Sequence, residues 1–446
     1  MVKIDNRSGF FSRLGKDKGQ EKNGQQTNSV ELVDDTKHIL TAKSNEEERT
    51  ATDPGLPLTT QSVESVKKQI PEDDELTDDE RAAKILIESE ESIIKDYIHE
   101  DSTITDISFN GTDLWVKDNE KGSYRPTKQP SAQEVANFIK KIANTQHQQF
   151  TPSEPILDTE IGNLRVNAMH KAISPSGTTF AMRISKPRLA IKNISEIADE
   201  DVEQLIKVLI ECGYNFVIAG KTGAGKTELQ KLMNRFINNK ITLIEDTMDS
   251  HIKKLYPEKD INSWRTLMAP TRENKIDISM LNKAALRNNP DWIIIAETRG
   301  WEIYHLLQSA MTDHSIITTL HAKGAKMIPK RVIQMIAEKY NIDEKLLGQT
   351  IVDVLRFGVY MWVEENEDGK TIRFMREFYE FTAYTDEGVQ FNRLYERKNS
   401  YDEENNTYNE YAVKEPLSEM VLEDLMYKRK YHELPEVYRK TKKEVN

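Results

Sequence analysis

Apolar residues follow two different patterns along this chain. In the central part, four continuous apolar runs contain no polar alternation, and they span residues 216–219, 241–244, 292–296 and 316–320. Runs of this kind are typical of strands in a parallel sheet that is covered on both faces. Apolar residues at helical spacing follow the first run, at Leu229, Leu232 and Met233. Residues 191–360 are therefore predicted to form an α/β domain with a mostly parallel sheet.

Before this region, shorter amphipathic elements predict a small α+β domain over residues 76–190. Capping boxes at 77–80 and 131–134 predict the starts of two helices. Asn110-Gly111 lies between two strand-like stretches and is a hairpin signal. The predicted strands of this domain span 104–109, 113–117, 164–169 and 179–184.

The two ends of the chain are polar. Residues 1–75 contain acidic clusters and few aromatic side chains, so they bury too little apolar surface to offset the entropy of ordering. We predict a disordered acidic tail there. Residues 361–446 are charged and tyrosine-rich, with a hairpin predicted at Asp368-Gly369, and we interpret them as a C-terminal appendage.

Charge and cysteine usage narrow the class of protein. The formal net charge is -12 over 446 residues, which argues against a nucleic-acid motor because binding to a phosphate backbone needs a basic surface. The one cysteine, Cys212, excludes an internal disulfide and a four-cysteine zinc module. The sequence has neither a signal-peptide pattern nor an apolar stretch of membrane-spanning length. We therefore expect a protein of the cytoplasm.

The first apolar run leads into GKTGAGKT, residues 220–227, which fits the pattern G-x-x-x-x-G-K-[ST]. Glycines let the backbone amides point at phosphate oxygens, at the positive end of the helix that follows. Lys226 is predicted to reach the β and γ phosphates of ATP, and the Thr227 hydroxyl to bind Mg²⁺. The predicted nucleotide-binding residues of this loop are Gly220, Lys221, Thr222, Gly223, Ala224, Gly225, Lys226 and Thr227.

Polar side chains follow the other three apolar runs. Glu245, Glu297 and His321 take these positions, and the carboxyl ends of parallel strands form the edge where ligands bind. We therefore predict that these three residues and Lys226 form the catalytic set. Glu297 would hold Mg²⁺ together with Thr227. Glu245 would orient the water that attacks the γ phosphate, and His321 would detect that phosphate.

A second histidine, His314, lies seven residues before His321. A strand rises ~3.3 Å per residue, so the two histidines are predicted about 20 Å apart. We do not expect both to touch one nucleotide within a subunit. Two interpretations stay open for His314, namely shaping the strand entry or reaching a neighbouring subunit.

Four segments, GKTGAGKT, LIEDT, NPDWIIIAETRG and TDHSIITTLHA, resemble the Walker A, Asp, Walker B and His boxes of the secretion-superfamily ATPases. The similarity covers roughly residues 80–365. The members it resembles are hexameric motors that power type II secretion, type IV secretion and type IV or Tad pili. A single cysteine rules out the zinc module that type II secretion and pilus-extension members often carry. The acidic N-terminal tail and the predicted hairpin after Val359 look closest to the type IV secretion and Tad-pilus branch, which includes conjugation systems. The implied fold is a RecA-like P-loop NTPase domain behind the small α+β domain.

The resemblance also implies ligands and partners. ATP and Mg²⁺ are the expected cofactors, and Arg165 and Arg183 match arginines that the family's N-terminal domain supplies to the phosphates. Arg287 and Arg299 match further family positions, where an inter-subunit role and exposed ion pairing both stay open. The expected assembly is a homo-hexamer, attached peripherally to the cytoplasmic face of the cell membrane through inner-membrane platform or secretion-channel proteins.

Three hypotheses about function follow. The leading one is an ATP-hydrolysing motor that energises a type IV secretion, conjugation or Tad-pilus machine. The second is a DNA translocase or helicase with the same RecA-like core, although the acidic balance makes direct nucleic-acid binding unexpected. The third is a nucleotide-gated assembly switch with little turnover. DNA-stimulated turnover would favour the second, and ATP binding without phosphate release would favour the third.

Overall fold

The structure, a computed structural model, describes residues 78–99, 102–267, 276–366 and 370–439. These residues belong to one compact unit, Gln69–Asn446. The predicted tail, 1–75, lies outside the described residues, and so does the predicted turn at Asp368-Gly369.

The described helices are α1 (Asp78–Glu88), α2 (Ala132–Thr145), α3 (Glu200–Glu211), α4 (Lys226–Met233), α5 (Ile252–Leu255), α6 (Ile278–Ala285), α7 (Ile303–Ala310), α8 (Ile328–Ala337), α9 (Glu344–Val354), α10 (Glu419–Tyr427) and α11 (Glu436–Arg439). The described strands are β1 (Ile104–Phe109), β2 (Leu114–Asp118), β3 (Gly122–Tyr124), β4 (Ile156–Ile161), β5 (Leu164–Met169), β6 (Thr179–Ile184), β7 (Phe216–Gly220), β8 (Ile241–Glu245), β9 (Ile261–Arg265), β10 (Trp292–Ile295), β11 (Ser315–Leu320), β12 (Phe357–Glu365), β13 (Thr371–Thr385), β14 (Gly388–Asp402) and β15 (Thr407–Val413).

The N-terminal part of the described chain is built on an antiparallel sheet of strand order β3-β2-β1-β6-β5-β4. The predicted hairpin at Asn110-Gly111 is confirmed, because β1 and β2 pair antiparallel on either side of it. Gly111 has φ +103°, and a Cβ there would lie 2.6 Å from Ser176. Glycine is therefore required at this turn. The capping box that opens α2 at Ser131 is also confirmed.

A second sheet has the order β15-β14-β13-β12-β7-β11-β10-β8-β9. Its strands from β12 to β9 are all parallel to their neighbours, and β13 to β15 extend it in antiparallel fashion. The four strands predicted from continuous apolar runs are β7, β8, β10 and β11. The predicted α/β class with a mostly parallel sheet is confirmed.

Successive residues of the central strands point into two separate cores. Phe216 and Ile218 of β7 pack in one core, whereas Val217 and Ala219 pack in the other. The first core is closed by α3, α4 and α10, and the second by α6, α7, α8 and α9. Both faces of the sheet are therefore covered, which is why these strands have no polar alternation.

The C-terminal residues continue the same sheet. β12 pairs parallel with β7, and β13 returns antiparallel beside β12. Helix α11 brings the fully buried Tyr438 back against the sheet, where its hydroxyl donates to the Leu394 carbonyl at 3.0 Å. Residues 361–446, predicted as a C-terminal appendage, therefore contribute strands to the same sheet as the central domain. The predicted domain boundary at residue 360 falls inside β12. Among the described residues, no helix is both long and apolar enough to cross a membrane.

Candidate nucleotide-binding site

The loop between β7 and α4 has backbone conformations that favour glycine. Gly223 and Gly225 have φ +78° and +90°, and Gly225 is the residue from which α4 begins. At Gly220 space is the constraint, because a Cβ would lie 2.7 Å from the carbonyl oxygen of Met361 on β12. The three glycines therefore allow a tight loop whose backbone turns into the N-terminus of a helix, the arrangement that binds phosphate.

Lys226 extends across this loop. Its Nζ donates to the carbonyls of Gly220 and Lys221, each at 3.1 Å, and the residue is buried. Burial lowers the pKa of Lys226 to about 8, partly offset by the carboxylate of Glu297. A buried cation held only by carbonyl oxygens in this way is suited to bind an anion.

His321 joins the loop to the neighbouring strand ends. Its Nδ1 lies 3.0 Å from the Gly220 carbonyl oxygen, and its Nε2 lies 2.8 Å from Oε1 of Glu297. The second approach has the distance of an ion pair but not the angles of a hydrogen bond, since Oε1 of Glu297 is without a hydrogen-bond partner among the described residues. Lys226, Glu297 and His321 therefore meet at one edge of the sheet.

Glu297 is surrounded by cations. Arg299 Nη2 donates to its Oε2 at 2.9 Å. Partial burial raises the pKa of Glu297, but the hydrogen bond and charge of Arg299, with Lys226 and His321, outweigh it, so the net pKa lies below its ordinary value. Glu297 is thus held as an oriented carboxylate.

Glu245 is the last residue of the adjacent strand β8, and acidic side chains lie near it. It is 1% exposed, its Oε1 accepts from the Ser250 amide at 3.1 Å, and its Oε2 has no hydrogen-bond partner among the described residues. Burial raises the pKa of Glu245 to about 7, with a contribution from the charges of Asp249 and Glu160. This carboxyl group is placed to exchange a proton near neutral pH.

A cavity of about 220 Å³ lies beside Glu245, between the β8 end and the N-terminal sheet. Two hydrogen bonds close its rim, from the Met248 amide to Glu160 Oε1 at 3.0 Å and from Ser185 Oγ to the Asp249 carbonyl at 2.5 Å. Arg165 also lines it, whereas no residue of the 220–227 loop does. Glu245 therefore faces the N-terminal domain, not Lys226.

The two arginines predicted to reach phosphates are cross-strand neighbours. Arg165 on β5 lies directly opposite Arg183 on β6, an arrangement of like charges that destabilises a sheet unless anions lie close by. Arg165 Nη1 donates to Thr247 Oγ1 at 3.4 Å, and Arg183 Nε lies 3.5 Å from Asp106. The charge of Arg183 also lowers the pKa of Lys226, so it faces the loop.

Of the remaining predicted positions, His314 and Arg287 lie apart from this group, and the others belong to the loop. His314 precedes β11, at the end opposite His321, and its Nδ1 lies 3.2 Å from Thr312 Oγ1. Arg287 is exposed just after α6. Lys221 and Thr222 are exposed at the loop tip, whereas Ala224 is buried.

One residue at the loop was missed by the sequence analysis. Arg373 on β13 donates from Nε to the Gly223 carbonyl at 2.7 Å. It occupies a charged strand without a motif, and its partner is 150 residues away along the chain. No local signal could have identified it.

The donor groups at the sheet edge fit a hard divalent cation. Mg²⁺ takes oxygen ligands and keeps several waters and phosphate oxygens, so it needs few protein ligands. Thr227, half-buried in the first turn of α4, and the oriented carboxylate of Glu297 supply such oxygens. In the described part of the chain, no cluster of three or more His, Cys, Asp or Glu side chains is placed to hold a metal ion.

The loop at the end of β7 has the sequence pattern and backbone turns of a phosphate-binding loop, and a parallel sheet surrounds it. These features define a P-loop nucleotide-binding protein of the α/β class. Residues 78–371 match the family described as type II/IV secretion system protein. The chain belongs to this family, and the family predicted from the four sequence boxes is confirmed.

Individual relatives differ in how much they share with the chain. An uncharacterized protein of Bacillus anthracis is 36% identical over 317 residues, which is 69% of this chain and 70% of that protein. The conjugal transfer protein TrbB of Rhizobium radiobacter is 25% identical over 256 residues, or 55% of this chain and 73% of TrbB. The solved structure of the Legionella pneumophila ATPase DotB is 20% identical, with a TM-score of 0.47, and the match covers 63% of this chain and 77% of DotB.

Proposed function

We propose that this chain is an ATP-hydrolysing, Mg²⁺-dependent motor of a type IV secretion, conjugation or Tad-pilus machine. The observation that carries the proposal is the meeting of Lys226, Glu297 and His321 at the loop between β7 and α4. Membership of the type II/IV secretion family supports it.

The proposed chemistry begins with binding of the triphosphate. Lys226 Nζ would exchange its two carbonyl partners for β- and γ-phosphate oxygens, and the amides at the start of α4 would face the same phosphates. Mg²⁺, when bound, would neutralise charge on those oxygens, with Thr227 and Glu297 as its protein ligands. Arg165 and Arg183 would approach from the N-terminal sheet once it closes over the nucleotide.

Hydrolysis then depends on orientation and proton transfer. Glu245 would orient the attacking water and accept its proton, a role that fits a pKa near 7. Glu245 faces the cavity beside the N-terminal sheet, so the proposal requires the γ phosphate of bound ATP to extend from the loop toward that cavity. His321 contacts both Gly220 and Glu297, and it would relay whether the γ phosphate is present.

The proposed assembly is a homo-hexamer at the cytoplasmic face of the cell membrane. Its partners would be an inner-membrane platform or secretion-channel proteins, with peripheral attachment. TrbB, a relative, is described as a conjugal transfer protein, which supports the conjugation branch. Light scattering of the purified chain with and without ATP tests the assembly, and a mass of six copies is expected.

The test of the activity is phosphate release by the Lys226→Ala variant. Loss of the Lys226 ammonium, which crosses the loop, should reduce release to background, a fall of at least about 1,000-fold. Lys283→Ala, an exposed lysine on α6, is the matched control and should keep wild-type turnover. Normal phosphate release from Lys226→Ala would exclude the loop from the reaction, and DNA-stimulated turnover of the wild type would favour a translocase.

A further inference from the structure

Arg373 stands where three parts of the molecule meet. It belongs to β13, two residues beyond the end of the family match at residue 371. Its Nε donates to the Gly223 carbonyl at 2.7 Å, and its Nη2 donates to Asn119 Oδ1 at 2.9 Å. One guanidinium therefore connects the C-terminal strands, the P-loop and the N-terminal domain.

Sheet register explains how a distant strand reaches the loop. Met361 of β12 pairs with Gly220, the last residue of β7, and β12 continues for four residues past that point. Arg373 lies opposite Val363 on this continuation. Its side chain is thereby carried above the mouth of the loop, where Cδ would lie 3.6 Å from a Cβ placed on Gly225.

Packing alone does not fix the part of the loop that Arg373 binds. Gly223 has φ +78°, and a Cβ added there would meet no described atom within 4 Å. The peptide bond between Gly223 and Ala224 contains both the Gly223 carbonyl and the Ala224 amide. The Ala224 amide donates across the loop to the Lys221 carbonyl at 3.2 Å. In a trans peptide the carbonyl and the amide point in opposite directions, so a donor bound to the Gly223 carbonyl outside the loop keeps the Ala224 amide turned inward.

The partner on the N-terminal side is held firmly. Asn119 lies in the turn between β2 and β3, beside the buried Asp118. Asp118 Oδ1 accepts from Thr103 Oγ1 and from the amides of Glu120 and Lys121. The Asn119 carbonyl also accepts from the amide of Thr371 at 3.4 Å. Arg373 thus ties a flexible glycine to a rigid turn.

We propose that Arg373 is a positioning residue that sets the phosphate-binding conformation of the P-loop and couples it to the N-terminal domain through Asn119. A guanidinium suits this task, since its fixed fork can bind two acceptors at once, which a lysine ammonium does less well. The proposal rests on the proposed nucleotide-binding function of the loop.

The test uses the full chain with Arg373→Gln, Arg373→Lys and Asn119→Ala. Loss of a hydrogen-bonding charge should raise the KM for ATP about 10-fold in Arg373→Gln, with a smaller change in kcat. Arg373→Lys should give an intermediate KM. If Arg373 acts through Asn119, adding Asn119→Ala to Arg373→Gln should change KM little further. Arg397→Gln is the control, because Arg397 pairs with Glu410 on β15 and packs on the ring of Phe374, with no hydrogen bond to the loop among the described residues.

A second measurement does not depend on turnover. Amide hydrogen exchange of residues 220–227 without nucleotide should be faster in Arg373→Gln than in wild type and in Arg397→Gln, at equal melting temperature. Wild-type exchange and wild-type KM in Arg373→Gln would overturn the proposal. If Arg373→Gln does not fold, Arg373→Lys decides by the same exchange measurement. A wild-type chain that fails to hydrolyse ATP would refute the proposed function, while the exchange result would still decide the role of Arg373.

Discussion

Glu297 and Glu245 lie at the ends of neighbouring strands of one parallel sheet, but the charges that surround them have opposite signs. Glu297 lies among Arg299, His321 and Lys226, and its pKa is lowered. Glu245 is buried next to other acids, with one oxygen lacking a partner among the described residues, and its pKa is raised to about 7. Glu245 is the last residue of β8 and Glu297 lies two residues past the end of β10, and the charges around the two acids also differ.

This difference in surrounding charge suits the two acids to different roles in the site. A carboxylate that stays ionised and is oriented by the guanidinium of Arg299 is suited to hold a metal ion in place. A carboxyl group that titrates near neutrality is suited to take a proton from water. Sequence position brings both acids to the sheet edge, and the residues that surround each of them separate their roles.

Of the changes to these two acids, Glu297→Gln is expected to have the larger effect. Removing this charge should leave ATP bound but lower phosphate release on the order of 1,000-fold, because the metal ion loses an oriented carboxylate ligand. Binding of a fluorescent ATP analogue and phosphate release measure the two parts separately. Glu423→Gln, an exposed position on α10, is the control. Wild-type hydrolysis by Glu297→Gln would show that this acid does not serve the reaction.

A smaller effect is expected for Glu245→Gln, about a 100-fold loss of turnover. In the wild type, kcat/KM should rise as the pH passes about 7, where Glu245 ionises, and fall above about 8, where Lys226 loses its proton. The pH profile of kcat/KM measures both groups in the free enzyme. The lower limb should disappear in Glu245→Gln, and a profile that keeps it would assign that limb to another group.

The smallest expected effect is on stability. The folded-state pKa of Glu245, about 7, lies above its ordinary 4.5, so its contribution to stability is full below pH 4.5 and is lost as the pH rises to about 7. Above pH 7, Glu245→Gln should therefore raise the free energy of unfolding by about 1 to 3 kcal/mol. Denaturant unfolding at pH 5 and pH 8 measures this. An equal change in the free energy of unfolding at both pH values would refute burial of Glu245 as the cause.

Continuous apolar runs made the central strands predictable from the sequence. β7, β8, β10 and β11 are buried on both faces, so each is a short uninterrupted apolar segment. Because parallel strands end at a common edge, Glu245, Glu297 and His321 were predicted to lie together with Lys226. The structure brings Glu297 and His321 to the loop, whereas Glu245 faces the cavity beside the N-terminal sheet. β9 was missed, since only Ile261 of its five residues is buried.

The C-terminal strands were less predictable, for a physical reason. β13 departs from regular pairing between Phe378 and Tyr379 and again between Phe381 and Ala383, and such irregularities interrupt the two-residue alternation that marks a strand. The environments of Glu245 and Glu297 were equally hidden. The partners that distinguish them are brought in by tertiary contacts, such as Glu160 from the N-terminal sheet.

The Met361 carbonyl that leaves no room for a side chain at Gly220 has a consequence for exchanging parts between relatives. The backbone that limits the space on this side of the nucleotide loop belongs to β12, which lies far downstream of the loop in the sequence. A chimaera that combines this chain's Walker A segment with another protein's C-terminal strands must preserve that close backbone crossing. Whether such a hybrid can bind ATP then depends more on the fit between the Walker A segment and the C-terminal strands than on the identity of the four sequence boxes.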